Sequence, residues 1–296
     1  MTEQSQGWTI RRLLEWTAPF FSRKAVDSPR LSAELLLAHV LKVPRIKLYT
    51  DYERVLAEPD LSDYRELVKR AAEHEPIAYL TGIAHFFNLE FEVNRDVLIP
   101  RPETETLVEH VLQFVRTQPE LARPRILDLC TGSGCVAAAV AYHLKTATVL
   151  ASDNSSAAVE VAKRNMRRLN LQDRVLVVQG DLYSALEKQV DVQPFDLILA
   201  NPPYIRTEDI PKLDRNVRGY EPREALDGGA DGLVVHRRIM AGAKERLVAG
   251  GRVYMEIAFD QEDLAKQVVT AAEGFDDVKI LKDYGGRDRV MTARKK

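Results

Sequence analysis

Cysteine is nearly absent from this chain. Its 296 residues include two, Cys130 and Cys135, both in one glycine-rich segment. Neither has a further Cys or His at metal-ligand spacing, so the sequence predicts no disulfide framework and no metal site. Charge of one sign is missing too: 42 Lys and Arg stand against 44 Asp and Glu, a formal net charge of −2. That balance supplies no global attraction to a polyanion, and no direct nucleic-acid partner is expected. Nowhere do apolar residues run for the roughly 20 positions that span a bilayer. Residues 1–9 are polar and lack the apolar stretch of a signal peptide. A soluble cytoplasmic protein with no membrane partner is the expectation. Internal repeats and low-complexity segments are absent as well.

What is present divides by pattern near residue 80. The length suits two domains. Before residue 80 the periodicity is helical, with one helix expected over 8–21. Ser28-Pro29 reads as an N-cap with proline at the first helical position. Leu31, Leu35, Leu36, His39 and Val40 follow as one apolar stripe. A third helix is expected over 61–74, with Leu67, Val68 and Ala71 inward. Over 86–99 the pattern alternates, Phe87, Leu89, Phe91 and Val93 against Asn88, Glu90 and Glu92, with a turn at Asn94-Arg95-Asp96. This reads as a linking β-hairpin.

After Pro100 strand and helix alternate. Strands are expected at 125–129, 148–152, 175–179, 195–200 and 252–257. Helices are expected at 135–144, 157–169, 233–247 and 262–273. A last pair, 278–282 and 289–293, turns at Gly285-Gly286 and should be antiparallel. The fold class is therefore α/β, a mostly parallel sheet covered on both faces. The expected domains are 1–80 helical, 81–100 the hairpin, and 101–296 the α/β domain.

Two motifs carry chemistry. Asp128-Leu129-Cys130-Thr131-Gly132-Ser133-Gly134 lies between a strand and a helix, where glycines let backbone approach a ligand and free amides face a polar group. Asp153 ends the next strand, placed to bind ribose hydroxyls. The spacing is not that of a nicotinamide fingerprint, and a glycine turn alone could be a packing junction. The sharper motif is Asn201-Pro202-Pro203-Tyr204, at the carboxyl end of an expected parallel strand, where open α/β sheets bind ligands. The Asn201 side-chain oxygen and the Pro202 carbonyl can each accept one hydrogen of a planar NH2 group. Tyr204 offers an aromatic face for stacking and for a nearby cation. Such a rim would hold an amide nitrogen with one face open to an electrophile. Prolines alone would signal only a rigid turn; Asn, two prolines and an aromatic in this order favour a site.

These residues resemble the amino-methyltransferases that modify adenine, cytosine or glutamine nitrogens. Further segments narrow the resemblance to the release factor glutamine methyltransferases of HemK/PrmC type. They are Ser28-Pro29-Arg30-Leu31, Glu75-Pro76-Ile77-Ala78-Tyr79-Leu80-Thr81-Gly82, the stretch 97–105 with Arg101-Pro102-Glu103-Thr104, Tyr220-Glu221-Pro222-Arg223 and Asp283-Tyr284-Gly285. Similarity runs from about Leu13 to the last residue. It implies a seven-stranded Rossmann-like methyltransferase domain behind a helical domain that binds the release factor. It implies S-adenosylmethionine as cofactor, S-adenosylhomocysteine as product, and the glutamine of the Gly-Gly-Gln loop of class I peptide chain release factors as substrate. Cys130, Thr131, Gly132, Ser133 and Gly134 would then line the methionine end of the cofactor, Asp153 its ribose, Asp181 and Leu182 its adenine, with Asn201 beside the methyl group. Asn201, Pro202, Pro203 and Tyr204 would hold the substrate glutamine, with Asn201, Pro202 and Tyr204 catalytic.

Cys130 stands where the family loop usually has glycine, and a side chain there is expected to narrow the pocket or to require negative φ. Arg101 and Glu103 admit two readings, as partners of the cofactor's charged groups or as caps of the helix that follows. Glu221 either orders a loop over the site or makes a structural ion pair. A ribosomal-protein glutamine methyltransferase, and more remotely an adenine-N6 methyltransferase acting on nucleic acid, are the alternative activities. A non-catalytic adaptor is a third.

Overall fold

The computed structural model describes residues 7–187, 189 and 193–296. It divides into two compact units: the chain up to Gly82 together with Asp214–Tyr220, and Ile83–Leu213 together with Glu221–Lys296.

The first unit is helical: α1 (Ile10–Arg23), α2 (Pro29–Leu41), α3 (Ile46–Thr50), α4 (Glu58–Ala72) and α5 (Ile77–Thr81). The Thr9 hydroxyl caps α1 by accepting from the Arg12 amide at 3.2 Å. Ser28 is the N-cap residue with Pro29 first in the helix, as expected, but its φ is +44° and its side chain makes no capping bond; its carbonyl accepts the Ser32 amide at 2.9 Å. The expected α2 stripe also shifts. Leu31 and His39 are exposed and Leu35 is half-buried, while Ala33, Leu36, Leu37 and Ala38 are buried. The helix packs against α1 and α4 at once, so its buried arc lies between the two neighbours. That arc includes Glu34, whose carboxylate takes Arg30 at 2.6 Å, Arg45 at 3.1 Å and the Tyr49 hydroxyl at 2.6 Å. On α4 the unexpected core residue is Tyr64, and Leu67 is only half-buried. Trp8 and Trp16 are 40% and 52% exposed, and the Trp16 ring stacks on Phe20 at 5.2 Å.

The second unit opens with a two-stranded antiparallel hairpin, β1 (Ile83–Phe86) and β2 (Leu89–Glu92), pairing Phe86 with Leu89. Its turn is Phe87-Asn88, with φ of +50° and +59°. Both values fit the mirror-image turn that matches strand twist. The alternation anticipated from Phe87 onward therefore begins inside the turn, and Asn94–Asp96 closes no hairpin. Instead the Asn94 side-chain oxygen accepts from the Asp96 amide at 3.0 Å.

Then come α6 (Glu105–Thr117), β3 (Arg125–Leu129), α7 (Cys135–His143), β4 (Thr148–Asp153), α8 (Ser156–Arg168), β5 (Val175–Gln179), β6 (Phe195–Ala200), α9 (Arg215–Tyr220, grouped with the first unit), α10 (Val234–Arg246), β7 (Leu247–Glu256), α11 (Glu262–Ala271), β8 (Phe275–Lys282) and β9 (Asp288–Lys295). The seven strands run in the order β5-β4-β3-β6-β7-β9-β8. All pairs from β5 to β7 are parallel, and β9 is antiparallel to both neighbours, as expected from its tight turn. Successive strand residues serve opposite faces. Ile126, Leu197 and Leu199 pack with α6, α7 and α8, while Leu127, Leu129, Ile198 and Ala200 pack with α10 and α11. The parallel register aligns Leu129 with Ser152 and Ala200, and Ala200 with Met255, so these strands end at one level.

Candidate active site

A cavity of about 560 Å³ opens above those carboxyl ends, where a sheet with reversed strand order leaves a crevice. Its floor is the turn after β3. Cys130, Gly132 and Gly134 have φ of +59°, +54° and +80°. Cys130 thus takes the left-handed conformation of glycine, and the expectation of a negative φ is corrected. The turn imposes this angle because the Thr131 amide must reach the Ser152 carbonyl, at 3.0 Å. Gly134 is required for a second reason: a Cβ there would meet Met166 Cε at 2.6 Å and Ala162 Cβ at 3.2 Å, both on α8. A Cβ on Gly132 would meet nothing within 4 Å, which leaves open space above the turn.

Carboxylates organise this floor. Asp128 is buried and accepts the Thr131 hydroxyl at 2.6 Å. Burial pushes it up to about 7, against the hydrogen bond that favours its charge. Asp153, at the end of β4, accepts the Gly132 amide at 2.9 Å through Oδ2 and the Ser155 amide at 3.0 Å through Oδ1. Its carboxyl is raised by burial, and these amides oppose the rise. Both oxygens keep a lone pair for a further donor.

On the far wall Gly180 follows β5 so closely that a Cβ would lie 2.4 Å from Ala185 Cα. Leu182 has φ of +49° and is buried, and Asp181 pairs with Arg238 at 2.6 Å. All three line the cavity with Arg238.

Asn201 directly follows β6 and lines the cavity together with Pro203. Its Nδ2 donates to Thr104 Oγ1 at 3.1 Å, which leaves Oδ1 to accept. Pro202 is buried and Tyr204 half-buried, and neither belongs to the cavity wall. The Tyr204 phenol is pushed up by burial and by the charge of Glu256. The Tyr204 carbonyl accepts Gln261 Nε2 at 3.0 Å, the Ile205 amide donates to the Leu226 carbonyl at 3.0 Å, and the Ile205 carbonyl accepts the Gly228 amide at 2.8 Å.

A strap over residues 96–101 forms the near wall. Arg101 and the Ile99 amide bind the two oxygens of Glu221, at 2.5 and 3.2 Å. Glu221 therefore makes the ion pair that was one of its two readings. Arg101 makes no side-chain cap at the turn Pro102–Thr104, and Glu103 is exposed and absent from the cavity wall. Two buried residues were not anticipated. Thr104 holds Asn201, and Glu256 closes β7 with no exposed surface. A glutamate directly after the buried run Val253-Tyr254-Met255 is the one signal that could have marked the second.

Among the described residues no group of three or more His, Cys, Asp or Glu could hold a metal, and no helix is long and apolar enough to cross a membrane.

Comparison with known proteins gives this geometry a context. The PrmC N-terminal domain matches residues 12–82, and the methyltransferase small domain matches residues 104–213. The release factor glutamine methyltransferase of Rhodopirellula baltica is 38% identical over 99% of both chains. That of Geobacter sulfurreducens is 40% identical over 99% of both. Among solved structures, the hMettl16 catalytic domain in complex with a MAT2A 3′UTR hairpin superposes with TM-score 0.54. It is 18% identical, covering 76% of this chain and 80% of that one, which supports the fold alone. Full-length identity near 40%, both family domains in order and the seven-stranded sheet agree: the chain belongs to the release factor glutamine methyltransferase family.

Proposed function

We propose that the chain methylates the side-chain amide nitrogen of the glutamine in the Gly-Gly-Gln loop of class I peptide chain release factors, using S-adenosylmethionine and yielding S-adenosylhomocysteine. One observation carries the site assignment. Asn201 donates its amide hydrogen to Thr104, so Oδ1 remains to accept from a substrate NH2 at the mouth of the cavity.

The cavity suits the cofactor in its parts. The open space above Gly132 admits the methionine end among Cys130, Thr131 and Ser133, while Gly134, outside the cavity wall, lets the turn pack on α8. Asp153 keeps lone pairs for ribose hydroxyls, and Asp181 with Leu182 forms the wall for the adenine. When bound, the sulfonium supplies an electrophilic methyl group.

The protein's part is positioning. An amide nitrogen is a poor nucleophile because its lone pair is delocalised. Acceptors at Asn201 Oδ1 and the Pro202 carbonyl take both hydrogens, hold the nitrogen in line and favour its pyramidal form. The nitrogen loses a proton only after methylation, so the reaction calls for neither a strong base nor a metal. Pro203 stiffens the rim, and Tyr204 flanks it. Partner recognition falls to the helical unit, whose exposed Trp8 and Trp16 are apolar anchors of the kind that dominate interfaces. No nucleic acid or membrane is needed, and the cytoplasm is where the substrate works.

The test is incubation with methyl-labelled cofactor and purified release factors, native and with the loop glutamine replaced. Label confined to the native factor is expected. Equal label on both refutes the target.

A further inference from the structure

Glu256 is the last residue of β7, at the same level as Asn201, and is fully buried. Neither of its carboxylate oxygens completes a hydrogen bond, although the Thr104 and Tyr204 hydroxyls face it closely enough to favour its charged form. A buried carboxylate without partners is costly and calls for a reason.

The reason lies one bond away. An asparagine amide can be turned through 180°, exchanging oxygen for nitrogen. The contact with Thr104 does not by itself choose, because a hydroxyl can either accept or donate. What chooses is the other neighbour of Thr104. A carboxylate only accepts, so the hydroxyl must give its hydrogen there and take one from Asn201 Nδ2. We infer that Glu256 is a positioning residue: its carboxylate, through Thr104, locks Asn201 with Oδ1 toward the substrate amide. This rests on the proposed glutamine site. Bonds of this kind are often long without substrate and shorten in the productive complex.

Protonation would reverse the chain. A neutral Glu256 can donate to Thr104, Thr104 can then donate to Asn201 Oδ1, and Nδ2 would confront the substrate NH2, donor against donor. Several groups face the carboxyl. Arg289 on β9 favours the charge, as do Thr104 and Tyr204; Glu103 opposes it. His236 on α10 contacts the Glu256 carbonyl at 2.8 Å, and Cys135 on α7 senses the carboxylate. Burial dominates and pushes Glu256 up to about 7, so the lock engages as pH rises through neutrality.

The experiment is the pH profile of kcat, from 5.5 to 9, with saturating S-adenosylmethionine and release factor, for the wild type, E256Q, T104V and N201A. Calorimetric cofactor binding and a melting curve accompany each. The wild type should rise through an inflection near 7. E256Q should lose the inflection and fall on the order of 10- to 100-fold in kcat at pH 8, with cofactor affinity and melting temperature retained. If E256Q does not fold, T104V should show the same flat, depressed profile. Wild-type kcat and inflection in both E256Q and T104V overturn the inference. N201A tests the site separately: if it keeps the wild-type kcat, the proposed glutamine site itself falls.

Discussion

Replacing Cys130 by glycine and, separately, by alanine reads a backbone angle as a difference in free energy. At φ of +59° an L-residue meets its own carbonyl. That crowding costs about 1–2 kcal/mol, and glycine is spared it. Glycine in turn loses about 0.5–1 kcal/mol through the greater freedom of its unfolded chain. The alanine methyl, half-buried here, recovers a few tenths of a kcal/mol more. The balance leaves C130G more stable than C130A by a few tenths to about 1 kcal/mol. In a chain of this size that shift is on the order of 1–3 °C. Urea denaturation followed by circular dichroism, with equal slopes for both variants, measures the difference. Were φ negative, the crowding would vanish and alanine would win by about 0.5–1 kcal/mol. A C130A protein more stable than C130G by 0.5 kcal/mol or more therefore refutes the left-handed turn.

Two further outcomes concern the cavity wall and a buried histidine. Gly180→Ala should lower stability by about 1–3 kcal/mol and weaken cofactor binding, because the new Cβ would press on the Ala185 backbone beside Asp181; an unchanged melting temperature and unchanged calorimetric affinity would contradict the tight wall. His236 is buried, its Nε2 donates to the Glu256 carbonyl and its Nδ1 has no partner, so a second proton has nowhere to be received. Burial depresses the imidazole to about 4. Below pH 6.5 the unfolded chain binds a proton that the folded chain refuses, so this site removes about 3 kcal/mol of stability as pH falls from 6.5 to 4. Asp128 and Glu256, both raised to about 7, act in the opposite sense: they add stability as pH falls from 7 toward their unfolded values. The difference in unfolding free energy between wild type and H236Q isolates the histidine, and a difference that does not vary with pH would exclude its buried neutral state.

The strands that face helices on both sides were legible because a doubly covered strand is mostly apolar, as 197–200 is throughout and 126–129 is apart from Asp128. The antiparallel end of the sheet was legible from its glycine turn. The hairpin was misplaced by a few residues because Phe87 and Asn88 carry no glycine, and a positive φ at a phenylalanine leaves no trace in composition. The α2 stripe shifted because a helix between two neighbours has no single polar side, and its buried Glu34 reads as surface until Arg30, Arg45 and Tyr49 are seen around it. At the cavity, the glycine loop and Asn201 with Pro203 were legible because each motif is local in sequence, whereas Pro202 and Tyr204 stand outside its wall. Thr104 and Glu256 were missed because they stand 97 and 55 positions from Asn201 along the chain. Only folding brings such residues together.

Both tryptophans of the chain belong to the helical unit, and the larger unit has none. Indole emission excited at the red edge of the protein spectrum is thus an intrinsic label for the small half alone. Its colour and quenching report what touches Trp8 and Trp16, so the chain comes with a dye already attached to one of its two units.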